Sequence, residues 1–250
     1  MTWRRGEVWE IGRFWGRSSE IVRLDGCKFT IDKSVVSANI IDLLLSNMYE
    51  KPERDALKIF LNPELPVLEL GACLGIVSCL SNRMLRQPTK HVVVEANPAL
   101  LPILRQNREQ NGCHFKIVQG ALAHSVGTIA FKISDNVLAS SVHGEDDQRA
   151  VLVPAVTLDR LLNDYSFERC TLVCDIEGAE LQLVQNEMTT ISERVDTLIM
   201  ELHDRLVGEE LTQSMLTNLV SAGFKIIHKC GDIVVLANRR YADNSVQVHG

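Results

Sequence analysis

What is missing from this 250-residue chain narrows what it can be. No run of about 18 consecutive apolar residues occurs, so no bilayer-spanning helix is expected. The opening stretch, MTWRRGEVWEIGRFWGR, lacks the apolar core that a secretory signal needs. Positive charge is in deficit: 26 Lys+Arg stand against 32 Asp+Glu, for a net charge of −6. Such a chain has no global attraction to phosphate backbones or anionic lipid, so neither nucleic acid nor a membrane is an expected partner. The seven cysteines include no C-x-x-C pair, and Cys79, Cys170 and Cys174 lie in apolar stretches where a free thiol acts as a small hydrophobe. A reduced, soluble, cytoplasmic protein is expected. Internal repeats are absent, and so is the G-x-G-x-x-G pattern of dinucleotide-binding turns.

What is present is an ordinary globular balance, 46% apolar and 23% charged, in a chain long enough for one substantial core. Residues 1–60 differ in texture from the rest. They hold all three tryptophans (Trp3, Trp9 and Trp15), then two short alternating runs around Asp25-Gly26, a hairpin dipeptide, and one or two helices over 37–60. This segment reads as an N-terminal arm and helical cap, with a homodimer through the arm as one expectation for assembly. From Pro66 short β-rich runs alternate with helical segments: 67–70, 91–95, 114–118, 171–175 and 196–201 as strands, with helices between. That alternation argues for a parallel sheet covered by helices, a domain spanning 61–238. An insertion at 128-TIAFKI-133 leads into a polar stretch, 134–150, long enough to be functional or mobile. Strands 224–229 and 233–238, joined by Gly231-Asp232, must be antiparallel. Residues 239–250 read as a polar tail.

In an open parallel sheet ligands bind beyond the carboxyl ends of the strands, so residues just after each strand are the candidates. The first strand ends in 69-ELGACLG-75, where Gly71, Ala72 and Gly75 let the backbone turn sharply toward a ligand, or serve only helix packing. The second ends in 94-VEANP-98. Glu95 there can accept both hydroxyls of a ribose, with Ala96 beside it. Asn97-Pro98 is equally the chemistry of a helix start. Two later strand ends present Asp175, Glu177, Glu201 and His203. Oxygen ligands plus one imidazole nitrogen (Asp175, Glu201 and His203) could hold Mg or Mn, or the same groups could form a metal-free base. Glu177 and Glu180 also suit the first turn of a helix, and Glu180 reads as structural. In the polar loop, Ser140, Ser141 and His143 are candidates to touch cofactor or acceptor, against the plainer reading of an exposed loop.

Read together, ELGACLG, VEANP, 156-VTLDRLL-162, 175-DIEGAE-180 and 200-MELH-203 resemble the FkbM-type family of S-adenosylmethionine-dependent methyltransferases. That family carries D-V-G-A-N-x-G, E-x-N-P, T-L-D and I-D-x-E-G-A-E in this order. The resemblance covers about residues 49–203 and runs on toward 238. It implies a Rossmann-like class I methyltransferase fold, with a mostly parallel seven-stranded sheet and an antiparallel C-terminal hairpin. It also implies transfer of a methyl group from S-adenosylmethionine to a hydroxyl of a sugar or secondary metabolite. Tyr49 and Glu50 resemble a Tyr-Glu pair near the cofactor's methionine end. Glu69 stands where the family has Asp, and can still meet an ammonium group; Cys73 replaces Asn and loses its amide. The Asp that many methyltransferases place near Ala121 for the adenine is missing, which leaves Gln119 or the backbone at Ala121 and Leu122, unless this is a plain turn. Two other readings remain open. One is a catalytically silent scaffold that keeps the cofactor pocket; the other is a nicotinamide-dependent oxidoreductase, disfavoured by the missing glycine pattern.

Overall fold

The computed structural model describes residues 13–14, 17–33, 36–125, 127–133 and 149–242. Trp3, Trp9 and Trp15, the loop with Ser140, Ser141 and His143, and the segment 243–250 lie outside the described residues. A first antiparallel sheet is built from β1 (Arg13–Phe14), β2 (Arg17–Leu24) and β3 (Cys27–Asp32). Between the paired Leu24 and Cys27, Asp25 and Gly26 both take positive φ, 50° and 78°. This is the turn whose twist matches the flanking strands, and Asp-Gly adopts it at little cost. Two helices follow, α1 (Ala38–Leu45) and α2 (Lys51–Phe60), with Pro52 in the first turn of α2, where no intrahelical N–H is forfeited.

The alternating segment then folds as β4 (Val67–Leu70), α3 (Ile76–Met84), β5 (His91–Glu95), α4 (Leu101–Gln110) and β6 (Lys116–Gln119). A side sheet of β7 (Ala121–Leu122), β8 (Thr128–Ile133) and β9 (Arg149–Val156) comes next. β8 pairs antiparallel with β9, a partner that sequence patterning did not mark, because Pro154 demotes a run that would otherwise read as a strand. The chain continues through α5 (Leu158–Asp164), β10 (Cys170–Cys174), α6 (Glu180–Arg194), β11 (Val195–Glu201), α7 (Asp204–Val207) and α8 (Glu209–Ser221). It closes with β12 (Phe224–Cys230), β13 (Ile233–Asn238) and α9 (Arg239–Ala242).

The main sheet has seven strands in the order β12-β13-β11-β10-β4-β5-β6. Its β6-to-β11 portion is parallel throughout, and β13 runs antiparallel to both β11 and β12. Gly231, at φ 59°, makes the two-residue turn that enforces this terminal pair. The result is the mostly parallel seven-stranded sheet with an antiparallel terminal hairpin that the motifs implied.

Alternation along the strands divides the core. Leu68, Leu70, Leu172, Cys174, Leu198 and Met200 face one side, packed against α5, α6 and α8. Val67, Val173 and Ile199 face the other, against Ala56 and Leu57 of α2 and Val77 and Leu80 of α3. Phe29 and Ile31 of the N-terminal hairpin pack onto Leu101 and Leu104 of α4. Each such buried side chain contributes about 1.5–3 kcal/mol, so the arm is part of the core that holds the sheet's first half. The T-L-D motif also turns out to build structure. Thr157 caps α5 by accepting from the Arg160 N–H, and the Glu187 carboxylate accepts from the N–H groups of Leu158 and Asp159. No helix among the described residues is long and apolar enough to cross a membrane.

Candidate active site

A cleft of about 440 Å³ opens over the carboxyl ends of β4, β5 and β10, the size of a small-molecule site. Its geometry begins at Gly71. The Leu70 carbonyl accepts from the Asp175 N–H at 2.9 Å, which brings the chain leaving β4 against the chain leaving β10. A Cβ on Gly71 would stand 1.7 Å from the Asp175 carbonyl oxygen, so only glycine permits this approach. Gly75 has a different role. It starts α3 at φ 80°, a Cβ there would meet Leu104 Cδ1 at 2.6 Å, and it does not line the cleft; helix packing explains it. Ala72 is buried behind the loop.

Glu95, at the end of β5, is held by the loop it faces. Its Oε2 accepts from the Cys73 N–H and its Oε1 from the Asn97 N–H, both at 2.7 Å. Burial pushes the carboxyl up to about 7, although the Asn97 and Cys73 N–H groups pull it back. The Asn97 Oδ1 in turn accepts from the Ala99 N–H at 3.0 Å, so the helix-start reading of Asn97-Pro98 holds even though Asn97 touches the cleft. Cys73 takes φ 49°, a region that Asn tolerates better than Cys, and its Sγ lies 3.3 Å from the Tyr49 hydroxyl.

Tyr49 and Glu50 enter the cleft from a corner between α1 and α2 in which Asn47 and Glu50 both have positive φ. Arg54, 1% exposed, pins that corner. It donates to the Tyr49 carbonyl, the Asn47 carbonyl and the Asn47 Oδ1, each at 3.0 Å, and it also pairs with Asp25 at the hairpin tip. The arm is thereby tied to the site by charge as well as packing. Burial raises Glu50 to about 8, helped by the charges of Glu69 and Glu201 and opposed by Tyr49 and Arg54.

Across from this corner the wall is apolar: Val94, Ala96, Leu100, Leu122 and Phe131, with Gly120 and Ala121 between them. Phe131 arrives on β8, which sequence reading had left without a role at the site. Gln119 lies elsewhere, lining a separate hollow with Arg160 and Tyr165, so its side chain is not a cleft contact. Glu69 is also displaced from its expected place. It is buried beneath the loop, where Ser78 donates to it and His91 Nε2 lies 3.2 Å away, and it does not line the cleft.

The remaining wall is acidic. Asp175, Glu177, Glu201 and Asp232 line it, joined by Glu53 from α2, and among the described residues no Lys or Arg lines the cleft. Burial, then the neighbouring Glu201 charge, pushes Asp175 well above the usual carboxylate range, with His203 opposing. Two carboxylates about 4–5 Å apart repel by about 4 kcal/mol at an effective dielectric of about 20, so this wall favours a bound cation or retained protons. His203 sits behind the wall. Its Nε2 is 3.5 Å from both Asp175 Oδ1 and Glu177 Oε2. Its Nδ1 is 3.0 Å from Glu180 Oε1, a close ion contact without hydrogen-bond alignment. Burial alone would lower the imidazole, but Glu180, Asp175 and Glu177 outweigh it and raise it to about 9. Glu180 braces the loop: its two oxygens accept from the Ile176 and Gly178 N–H groups at 2.9 Å, beneath Glu177 at φ 51°.

The expected metal trio does not form as a unit. Among the described residues, Asp175 groups with Glu177 and His203 on one side and with Glu53 and Glu201 on the other. Glu53 was the residue missed. Its signal was its spacing, since Glu50 and Glu53 sit three apart at a helix start and so share a face.

Compared with models of known families, the sequence matches the methyltransferase FkbM domain over residues 69–226. No curated protein matches it. Among solved structures it is similar to TYW2 of M. jannaschii in complex with AdoMet, at 13% identity over 90% of this chain and 87% of that one, with a TM-score of 0.47. It is also similar to a precorrin-6y C5,15-methyltransferase of Geobacter metallireducens, at 12% identity over 80% and 90% of the two chains and a TM-score of 0.47. A third is the tRNA (uracil-54, C5)-methyltransferase of Pyrococcus abyssi in complex with S-adenosyl-L-homocysteine, at 14% identity over 90% and 45% and a TM-score of 0.49.

Proposed function

The chain belongs to the FkbM family of methyltransferases, and from that premise we propose that it methylates a hydroxyl oxygen of a small-molecule acceptor, a sugar or secondary metabolite, using S-adenosylmethionine. The observation that carries this reading is the order of groups along one cleft: an apolar pocket, then Glu95, then the Gly71 loop, then the acidic wall. S-adenosylmethionine supplies a methyl group on a positively charged sulfur, already activated for displacement. The ring of its adenine suits the pocket of Ala96, Leu122 and Phe131, and Glu95, oriented by two backbone N–H groups, suits its ribose hydroxyls. Tyr49 and Glu50, which also line the cleft, are the groups assigned to its methionine end.

The chain's own contribution is then positioning and proton transfer. The acceptor oxygen forms its bond to the methyl carbon as the carbon–sulfur bond breaks, and the sulfur keeps that electron pair and becomes neutral. The hydroxyl proton passes to a carboxylate. Asp175 is suited to take it, because burial and the Glu201 charge make it a stronger base than an exposed carboxylate. His203, raised to about 9, is protonated near neutrality, so it serves to hold Asp175 and Glu177 in place rather than to act as the base. The acidic wall of Asp175, Glu177, Glu201 and Asp232 favours an uncharged or cationic acceptor over a phosphorylated one. The test is calorimetric titration with S-adenosylmethionine, paired with product mass from a panel of hydroxylated acceptors. Failure to bind the cofactor would refute the reading; a product methylated on nitrogen or carbon would correct its chemistry.

A further inference from the structure

Glu53 has no task in the methyl-transfer scheme, yet it is the least exposed acid of the cleft wall, at 2%. It projects from the first turn of α2, and among the described residues no hydrogen bond or ion pair reaches it. Helix-dipole stabilisation explains an acid in a first turn at the surface. It does not explain one sunk beside other carboxylates, where an unpaired charge is costly. One oxygen of Glu53, one of Asp175 and one of Glu201 lie within 4.8 Å of one another. They come from α2 and from the ends of β10 and β11, so three separate elements converge on one point.

We propose that Glu53, Asp175 and Glu201 bind one divalent, oxygen-seeking cation of the magnesium, manganese and calcium class in the wall of the cleft. A centre between three atoms so spaced lies no more than about 2.8 Å from each, and a small inward turn of the side chains reaches the roughly 2.1–2.6 Å of such bonds. An all-carboxylate set without thiolate selects hard cations over zinc or copper. A cation there offsets the like charge that the lining otherwise leaves unbalanced. His203 groups instead with Asp175 and Glu177, and remains behind the wall. The site shares Asp175 with the methyl-transfer reading, but it is tested without the methyl donor, so the two can fail separately.

The test is Mn²⁺ binding to the full chain at about pH 8 without S-adenosylmethionine, followed by loss of the free-ion paramagnetic resonance signal. Saturable uptake of one Mn²⁺ per chain, displaced by Ca²⁺, is expected. Glu53→Gln and Glu201→Gln should each weaken it at least about tenfold. Glu64→Gln, at an exposed acid paired with Arg86, should leave it unchanged. Glu53→Gln replaces a repelled buried acid by a neutral group of the same shape, and circular dichroism checks that it folds. Absence of saturable uptake at millimolar Mn²⁺, or uptake that a folded Glu53→Gln retains, overturns the proposal.

Discussion

Lowering the pH from 8 to 5.5 should weaken S-adenosylmethionine binding by more than an order of magnitude, and Glu95 should be the main reason. The carboxylate must be ionised to accept two ribose hydroxyls. Burial has raised it to about 7, and the two backbone N–H bonds at 2.7 Å recover only part of that shift. For one such group the apparent Kd grows by a factor of two at about pH 7, about tenfold at pH 6 and about thirtyfold at pH 5.5, or roughly 2 kcal/mol. Above about pH 8 this group contributes no further change. Glu95→Gln removes the titration and should bind weakly at every pH, so the two affinity curves draw together in acid and diverge toward alkali. The amide also sets an NH₂ against one of the N–H groups that now donate to Glu95, at a cost of about 1–3 kcal/mol. Melting curves at each pH therefore accompany the calorimetry. An affinity that stays constant from pH 8 to 5.5, or a Glu95→Gln variant with the parental slope, would refute the role assigned to Glu95.

Four further outcomes follow from the same geometry. Arg54→Ala should cost about 3–5 kcal/mol, because it leaves Asp25 and the Asn47–Tyr49 carbonyls without their buried partner, and KM for the cofactor should rise more than kcat falls; urea midpoints and steady-state kinetics check both. Gly71→Ala, whose Cβ meets a backbone oxygen at 1.7 Å, should cost more than about 4 kcal/mol, against about 1–3 for Gly75→Ala, whose obstacle is the movable end of Leu104; equal losses in denaturation would contradict the packing argument. Asp175→Asn should lower kcat by about 10² or more with cofactor affinity largely kept, while His203→Gln, by removing the nearby cation, should move the acid limb of the kcat/KM profile to higher pH. The cofactor-free protein should lose stability as pH rises: Glu50, Glu95 and His203 are all raised in the fold, so their contributions are complete below their unfolded values and are lost through about 8, 7 and 9 respectively. Chemical denaturation that instead shows stability climbing from pH 6 to 9 would contradict that sign.

Much of the architecture was legible because it rests on local rules. Asp25-Gly26 makes its turn from the φ preferences of two residues, and Gly231 does the same at the last hairpin. Short apolar runs bounded by helix starts mark β4, β5, β10 and β11. The position of β13 between β11 and β12 was not legible, since strand order depends on which edges pair in space. β9 was hidden by Pro154. At the site, strand-end reading reached Gly71, Glu95, Asp175, Glu177 and Glu201, all of which line one cleft. It misplaced Glu69 and Gln119, because neighbouring strand-end residues point to opposite faces and only packing decides which face is the cleft. Phe131 and Glu53 were missed because they reach the cleft from segments outside the strand-to-helix turns.

The sequence by itself determined the alternating α/β plan and marked Gly71 and Glu95 as strand-end candidates, because each follows from backbone freedom or from position after a strand. Only the tertiary structure decided which carboxylates meet. Glu53, Asp175 and Glu201 are far apart along the chain and converge because α2 packs over β11 and β13. Charge repulsion and desolvation depend on those separations through space, and linear order does not contain them.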